Sequence, residues 1–163
     1  MKIVFSVSLI MVAIKKQRDK AKVKNLRKLI DAGYEHTELQ GYDKDKQLST
    51  RNVSVFNDQN SNKTYVVHRG TDNAADWWTD FQAILGYEGG RRFQQSKKIQ
   101  DQAETKYKGR KIVTVGHSLG GRLAEKSAHK NDEVYTFNKF STPQAIISSY
   151  KHPVDNHHQV DIR

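Results

Sequence analysis

Apolar residues fall in short runs separated by polar stretches, and their spacing changes from one run to the next. Behind Met1-Lys2, the run Ile3 to Ile14 carries twelve consecutive uncharged, mostly apolar positions. Crossing a bilayer takes about 20 such residues in a helix, so this run falls short. Three readings stay open for it: a core or surface-docked element, a signal or targeting sequence, and a membrane anchor. No Ala-x-Ala-like site follows, and the basic cluster directly behind the run opposes export. Met11 is also a candidate downstream start.

From Gln17 to Ala32, Val23, Leu26, Leu29 and Ile30 recur at helical spacing, which predicts one amphipathic helix with Gly33 as its stop. The polar stretch Glu35 to Arg51 reads as loop. Val53 to Phe56 and Tyr65 to His68 flank the turn-rich Asn57 to Asn62, the pattern of a β-hairpin. Trp77 and Trp78, followed by glycines 86, 89 and 90, read as an ordered loop. Arg91 to Tyr107 carries Phe93, Ile99, Ala103 and Tyr107 at near-helical spacing, closed by Gly109. Then come a strand at Ile112 to Val115, a helix at Arg122 to Lys130, a strand at Val134 to Phe137, a short helix at Gln144 to Tyr150 and a last strand at Gln159 to Arg163. Strands alternating with helices define the α/β class, with a mostly parallel sheet covered on both faces.

A length of 163 residues suits a single core. We divide the chain into residues 1–34, the apolar run plus the basic helix, and residues 35–163, the α/β core. The absence of cysteine excludes disulfides, thiol chemistry and Cys-ligated metal. The net charge of +10 is concentrated: Lys15 to Lys28 holds eight basic residues against Asp19 alone, a net +7. That segment is either a solvated helix face or a surface attracted to anionic lipid. Nucleic-acid binding has only the charge to speak for it, because no zinc-finger, RNP or similar motif accompanies that charge. Nothing else indicates a compartment beyond the routes to membrane or secretion that residues 3–14 leave open.

The chemistry centres on Gly116-His117-Ser118-Leu119-Gly120-Gly121, between the strand ending at Val115 and the helix that follows. A Gly-x-Ser-x-Gly at a strand-to-helix turn is the context of a nucleophile elbow, with Ser118 lifted above the sheet end on a strained backbone. Gly116 and Gly120 are needed because strand and helix pass too close for side chains. The first free amides of the helix point over Ser118, so the Leu119 N–H is placed to hold an oxyanion. This chain's composition gives roughly 0.04 chance matches to the pattern, and the bland alternative is a glycine-rich turn with an incidental serine. His117 points away from the acyl site in such a turn and reads as structural.

Several segments together resemble the class 3 (fungal-type) lipases of the α/β-hydrolase fold: Tyr65 to Thr71, the Asp76-Trp77 and Thr79-Asp80 pairs, the helix from Arg91 to Ile99, Gly116 to Gly121, and Val134 to Asn138. The resemblance covers roughly Val53 to Arg163, and it implies hydrolysis of lipid carboxylic esters through an acyl-enzyme on Ser118. The oxyanion would be held by the amides of Leu119 and Thr71, with help from the Thr71 hydroxyl. Thr71 also lies just past the carboxyl end of a strand, where such sheets carry their sites. Asp80 reads as a residue that orders its loop. No cofactor or metal is expected, and a His/Asp cluster between His152 and Asp161 reads as solvated polar residues.

Such a serine needs a base, and this fold supplies acid and histidine in the order Ser, Asp or Glu, His. By the family's strand order both partners are expected beyond Arg163, which makes the core C-terminally incomplete. Asp155, His157 and His158 enter the last strand from the amino edge, the far side from Ser118, and Phe140 to Pro143 offers no carboxylate. This exact chain is therefore expected to hydrolyse esters weakly or not at all. The leading reading is a serine esterase or lipase; the alternative is a catalytically silent lipid-interface binding protein.

Overall fold

The computed structural model describes residues 2–71, 90–137 and 157–160, with side chains from Leu9 onward and, in the last segment, for His158 alone. Among the described residues the apolar runs form one six-stranded sheet whose strands lie side by side in chain order: β1 (Tyr42–Lys44), β2 (Val53–Asp58), β3 (Lys63–His68), β4 (Lys111–His117), β5 (Glu133–Phe137) and β6 (His157–Val160). β1 to β3 pair antiparallel; β3 to β6 pair parallel. Antiparallel neighbours can join by a tight turn, whereas parallel ones need a crossover. Accordingly β2 and β3 form the expected hairpin, whose loop Arg110 ties down by donating to the carbonyls of Asp58, Ser61 and Lys63. The helices α2 (Arg91–Lys106) and α3 (Leu119–Ser127) precede and follow β4.

The sheet's pleat sorts its side chains into two cores. Val113, Val115, Tyr65, Val67, Tyr135 and Phe137 meet Leu26, Leu29 and Ile30 of α1 (Lys2–Glu35) on one face. Val53, Val55, Val66 and Ile112 meet Ile99 and Ala103 of α2 on the other. Leu119 and Leu123 of α3 pack with Phe93 of α2. The sheet is thus covered on both faces. A buried polar bridge also joins the α2 side, where the Gln100 amide donates to Thr114 Oγ1 at 2.9 Å and to Asp132 Oδ2 at 2.8 Å.

Several expected boundaries shift for identifiable reasons. The apolar run Ile3 to Ile14 and the basic helix from Gln17 are one continuous 34-residue helix. Gly33 does not stop it; a Cβ there would sit 3.1 Å from Val67 Cγ1, so glycine lets α1 approach β3 closely. The helix closes two residues later, where His36 takes a positive φ of 57°. The polar stretch expected as loop contains β1, an edge strand held by Tyr42, whose ring meets Tyr65 edge-on at 5.8 Å. Helix α3 begins at Leu119, three residues before the expected start at Arg122, because the turn itself opens it. The last strand starts at His157 and not Gln159, in register with Val134 to Phe137 of β5. The 76–80 segment, glycines 86 and 89, the helix expected at 144–150, His152 and Asp155 all lie outside the described residues.

At the amino end of the parallel strands, an ion cluster pins α1 to the sheet. Glu133 accepts from Lys22 at 2.6 Å and pairs with Lys111 at 2.8 Å, while Tyr135 donates its hydroxyl to the same carboxylate. Although burial pushes the other way, these contacts lower the Glu133 carboxyl to about 2. Because the folded value lies below the unfolded one near 4.5, the stabilisation is full above that pH and disappears as pH falls toward 2. Thermal melts should therefore show a steeper loss of stability between these limits for the natural chain than for Glu133→Gln.

Candidate active site

Strand β4 delivers the chain into the elbow, and main-chain crowding explains each glycine there. A Cβ on Gly116 would lie 2.1 Å from the Gly120 carbonyl oxygen, and one on Gly120 would lie 2.1 Å from that of His68. Both obstacles are backbone, so no side chain can swing aside. Between them Ser118 takes φ 52° and ψ −122°, a conformation that side-chain-bearing residues rarely adopt. Its amide donates to the Phe137 carbonyl at 2.9 Å, and its carbonyl accepts from Gly121 N at 3.0 Å. The corner is held from both the sheet and the helix. Ser118 makes no side-chain capping bond to α3.

The segment leaving β3 folds across this corner. Gly70 passes so close that a Cβ would stand 3.0 Å from the His117 carbonyl oxygen and 3.6 Å from Gly120 N. Two residues fix its path. The Gly70 amide donates to Tyr34 Oη at 2.7 Å, at the end of α1. From the first turn of α2, the Arg92 guanidinium donates to the Arg69 carbonyl at 2.9 Å, the Gly70 carbonyl at 3.3 Å and Thr71 Oγ1 at 3.3 Å. Thr71 is half-buried beside the elbow. Since its hydroxyl accepts from Arg92, its own proton is free to be given elsewhere.

Tyr34 and Arg92 were not among the sequence candidates. Arg92 did carry a signal: adjacent arginines in a helix's first turn oppose the helix dipole, which suggests a second job for one of them. Tyr34 carried none, because its role depends on α1 reaching the carboxyl end of the sheet.

None of the five histidines with described side chains hydrogen-bonds the Ser118 hydroxyl. His36 meets Arg69 at 3.0 Å, and His129 meets Asp101 at 2.6 Å. His68 is fully buried in β3 with neither ring nitrogen hydrogen-bonded. Burial lowers it to about 4, the Arg92 charge adds to this and the nearby Gln100 amide opposes it, so the ring is neutral. His117 points to the α1 face, edge-on to Tyr34 at 6.3 Å. There it lines a cavity of about 380 Å³ with Ile30, Asp31 and Phe137, and burial lowers its pKa against the pull of Asp31. His158 stacks on Tyr135 at 4.8 Å, two rungs down β5 from the residue that holds Ser118 N. Among the described residues no group of His, Asp or Glu side chains forms a metal site.

A strand, strained serine turn and helix beneath a second strand's outgoing loop define an α/β-hydrolase fold. The chain belongs to the Tle-like phospholipase domain family, a phospholipase-like group whose model matches residues 17–161. Among solved structures, a fungal lipase in complex with an inhibitor, described as a model for interfacial activation, matches with a TM-score of 0.52 at 17% identity, covering 75% of this chain and 58% of that one. Rhizomucor miehei lipase in its propeptide complex matches with a TM-score of 0.48 at 18% identity, covering 75% and 53%. The chain thus spans a little over half the length of these lipases. No curated protein matches it.

The crowding makes opposite forecasts for neighbouring positions. Gly116→Ala or Gly120→Ala should cost roughly 3 kcal/mol or more, since the backbone must move. Ser118→Gly should raise stability by about 1 kcal/mol by releasing the strained φ, whereas Ser118→Ala should not. Denaturant unfolding of the four variants checks both.

Proposed function

We propose that the domain hydrolyses lipid carboxylic esters, phospholipids foremost, by acyl transfer to Ser118. The observation that carries this is the Ser118 backbone itself, a strained non-glycine conformation kept in place by two glycines that cannot be replaced. Strain of this kind persists where surrounding structure over-determines it, and it concentrates at functional sites. In the reaction Ser118 Oγ attacks the ester carbonyl, its proton passes to a base, and the leaving alcohol departs with a proton. The tetrahedral oxyanion is received by the Leu119 amide at the start of α3 and by Thr71, through its amide and the hydroxyl that Arg92 orients. Arg92 and Tyr34 are positioning residues, because they act through the 69–71 segment. The family match supports the lipid class of substrate.

The five placed imidazoles leave the base unsupplied among the described side chains. The sequence expectation put acid and histidine after the strand that follows β5, and the reading keeps that assignment. That same observation favours a second reading, a silent lipid-interface binder that keeps the elbow for its architecture. The two separate experimentally. If the oxyanion site is built and only the base is missing, imidazole in the buffer can stand in for it. An alkyl fluorophosphonate should then add once, at Ser118, at a rate that rises with imidazole. Intact mass and peptide mapping should show no adduct in Ser118→Ala, and Thr71→Val should slow labelling by about tenfold or more. Labelling spread over surface serines, or none at Ser118 at any imidazole concentration, sinks the hydrolase reading in favour of the silent binder.

A further inference from the structure

We infer that the amino-terminal third of α1 is a one-leaflet anchor for anionic membranes, mounted at the end of the domain opposite Ser118. Four observations carry this. From Leu9 to Ala21 every side chain of α1 is exposed, so this stretch of helix stands clear of the sheet. Its apolar residues are bare all round: Leu9 is 69% exposed, Met11 66% and Val12 62%. A helix that only covered a protein core would show one polar face over residues 3–14, and this run has no charged position.

The second observation is length. Twelve residues of helix rise about 18 Å, roughly three-fifths of a hydrocarbon core about 30 Å thick, enough to fill one leaflet and too short to cross both. No described helix is long and apolar enough to cross a membrane, so insertion would stop within one leaflet. The third is charge. Lys15, Lys16, Arg18 and Lys20 follow at once, with Asp19 the sole acid among them, at the depth where the phosphates of that leaflet would lie. Apolar insertion joined to a basic collar is the two-signal pattern of stable membrane attachment, and it commits the partner to an anionic lipid surface.

The fourth observation is direction. Lys22 reaches Glu133 at the amino end of β5, whereas Tyr34 reaches Gly70 and His117 at the carboxyl ends of β3 and β4. α1 therefore runs alongside the parallel strands. From Ile14 to Tyr34 the helix rises about 30 Å, so an inserted anchor holds the elbow about that far from the headgroups, opening away from them. The anchored surface is then not the surface the site works on. Substrate reaches Ser118 from an opposing membrane or as lipid delivered from solution. The anchoring half of this inference is independent of Ser118 chemistry and holds equally for the silent binder.

The chain has no cysteine, so Leu9→Cys and Thr37→Cys, both exposed positions, each accept one environment-sensitive nitrobenzoxadiazole dye. Vesicles of phosphatidylcholine with phosphatidylglycerol should brighten the dye at position 9 several-fold and leave that at position 37, beside the carboxyl end of the sheet, unchanged. Pure phosphatidylcholine should do little. Reversing Lys15, Lys16 and Arg18 to Glu should weaken vesicle binding at least about tenfold without altering the melting curve. Brightening at both positions overturns the stated orientation. No response at position 9, an equal response to neutral vesicles, or brightening that depends on protein concentration without lipid, as a second copy covering the arm would give, overturns the anchor.

Discussion

Three stretches of backbone converge at the carboxyl end of the sheet: the last residue of β3, the last turn of β4 and the first turn of α3. Their carbonyls stand where the Cβ atoms of Gly116 and Gly120 would have to be, at 2.1 Å in each case. Such contacts cannot relax by rotamer changes, so the crowding dictates local sequence and local conformation together. It leaves the residue between the glycines only one way round the corner, at positive φ. The same crowding aims the opening amides of α3 at the space above the sheet, and it brings the Arg69-Gly70-Thr71 strip over the elbow. The shape of this corner follows from packing before any catalytic side chain is considered.

The rest of the molecule supports that corner from a distance. α1 lies on one face of the sheet and ends with Tyr34 gripping the Gly70 amide, an approach that Gly33 permits by bringing the helix close to Val67. α2 lies on the other face and begins with Arg92 gripping the carbonyls of Arg69 and Gly70. The Arg69-Gly70-Thr71 strip is thus held by helices on both faces of one sheet. At the opposite end, the Lys22, Lys111, Glu133 and Tyr135 cluster pins the start of α1's packed half to β4 and β5. Anchoring a helix at both ends of the strands gives it a fixed direction, which is why the exposed amino-terminal arm and the serine face opposite ways.

Much of this was legible in the chain. The β2–β3 hairpin, α2 and the strand before the elbow came from period and turn residues, and the tight turn at Gly116, Ser118 and Gly120 came from its motif, which together with chain order also named Leu119 and Thr71 as candidates. The misreadings share a cause: each depended on a partner far away in sequence. Gly33 resembled a helix stop because local rules cannot see Val67. Tyr42 sat in a polar stretch because its reason for being in a strand is Tyr65. Tyr34 and Arg92 were missed because their task exists only once α1 and α2 flank the same sheet. His157 and His158 were expected outside the strand and lie within β6, and the stacking of His158 on Tyr135 keeps that ring toward the α1 side, away from Ser118.

If two main-chain amides converge on the space beside a strained Ser118, a crystal structure of the chain carrying a phosphonate on Ser118 should show it. Ser118 should keep its positive φ, with a phosphonyl oxygen about 2.7–3.1 Å from both the Leu119 and Thr71 amides. A relaxed, negative φ at Ser118, or an adduct whose oxygen meets neither amide, rules that convergence out.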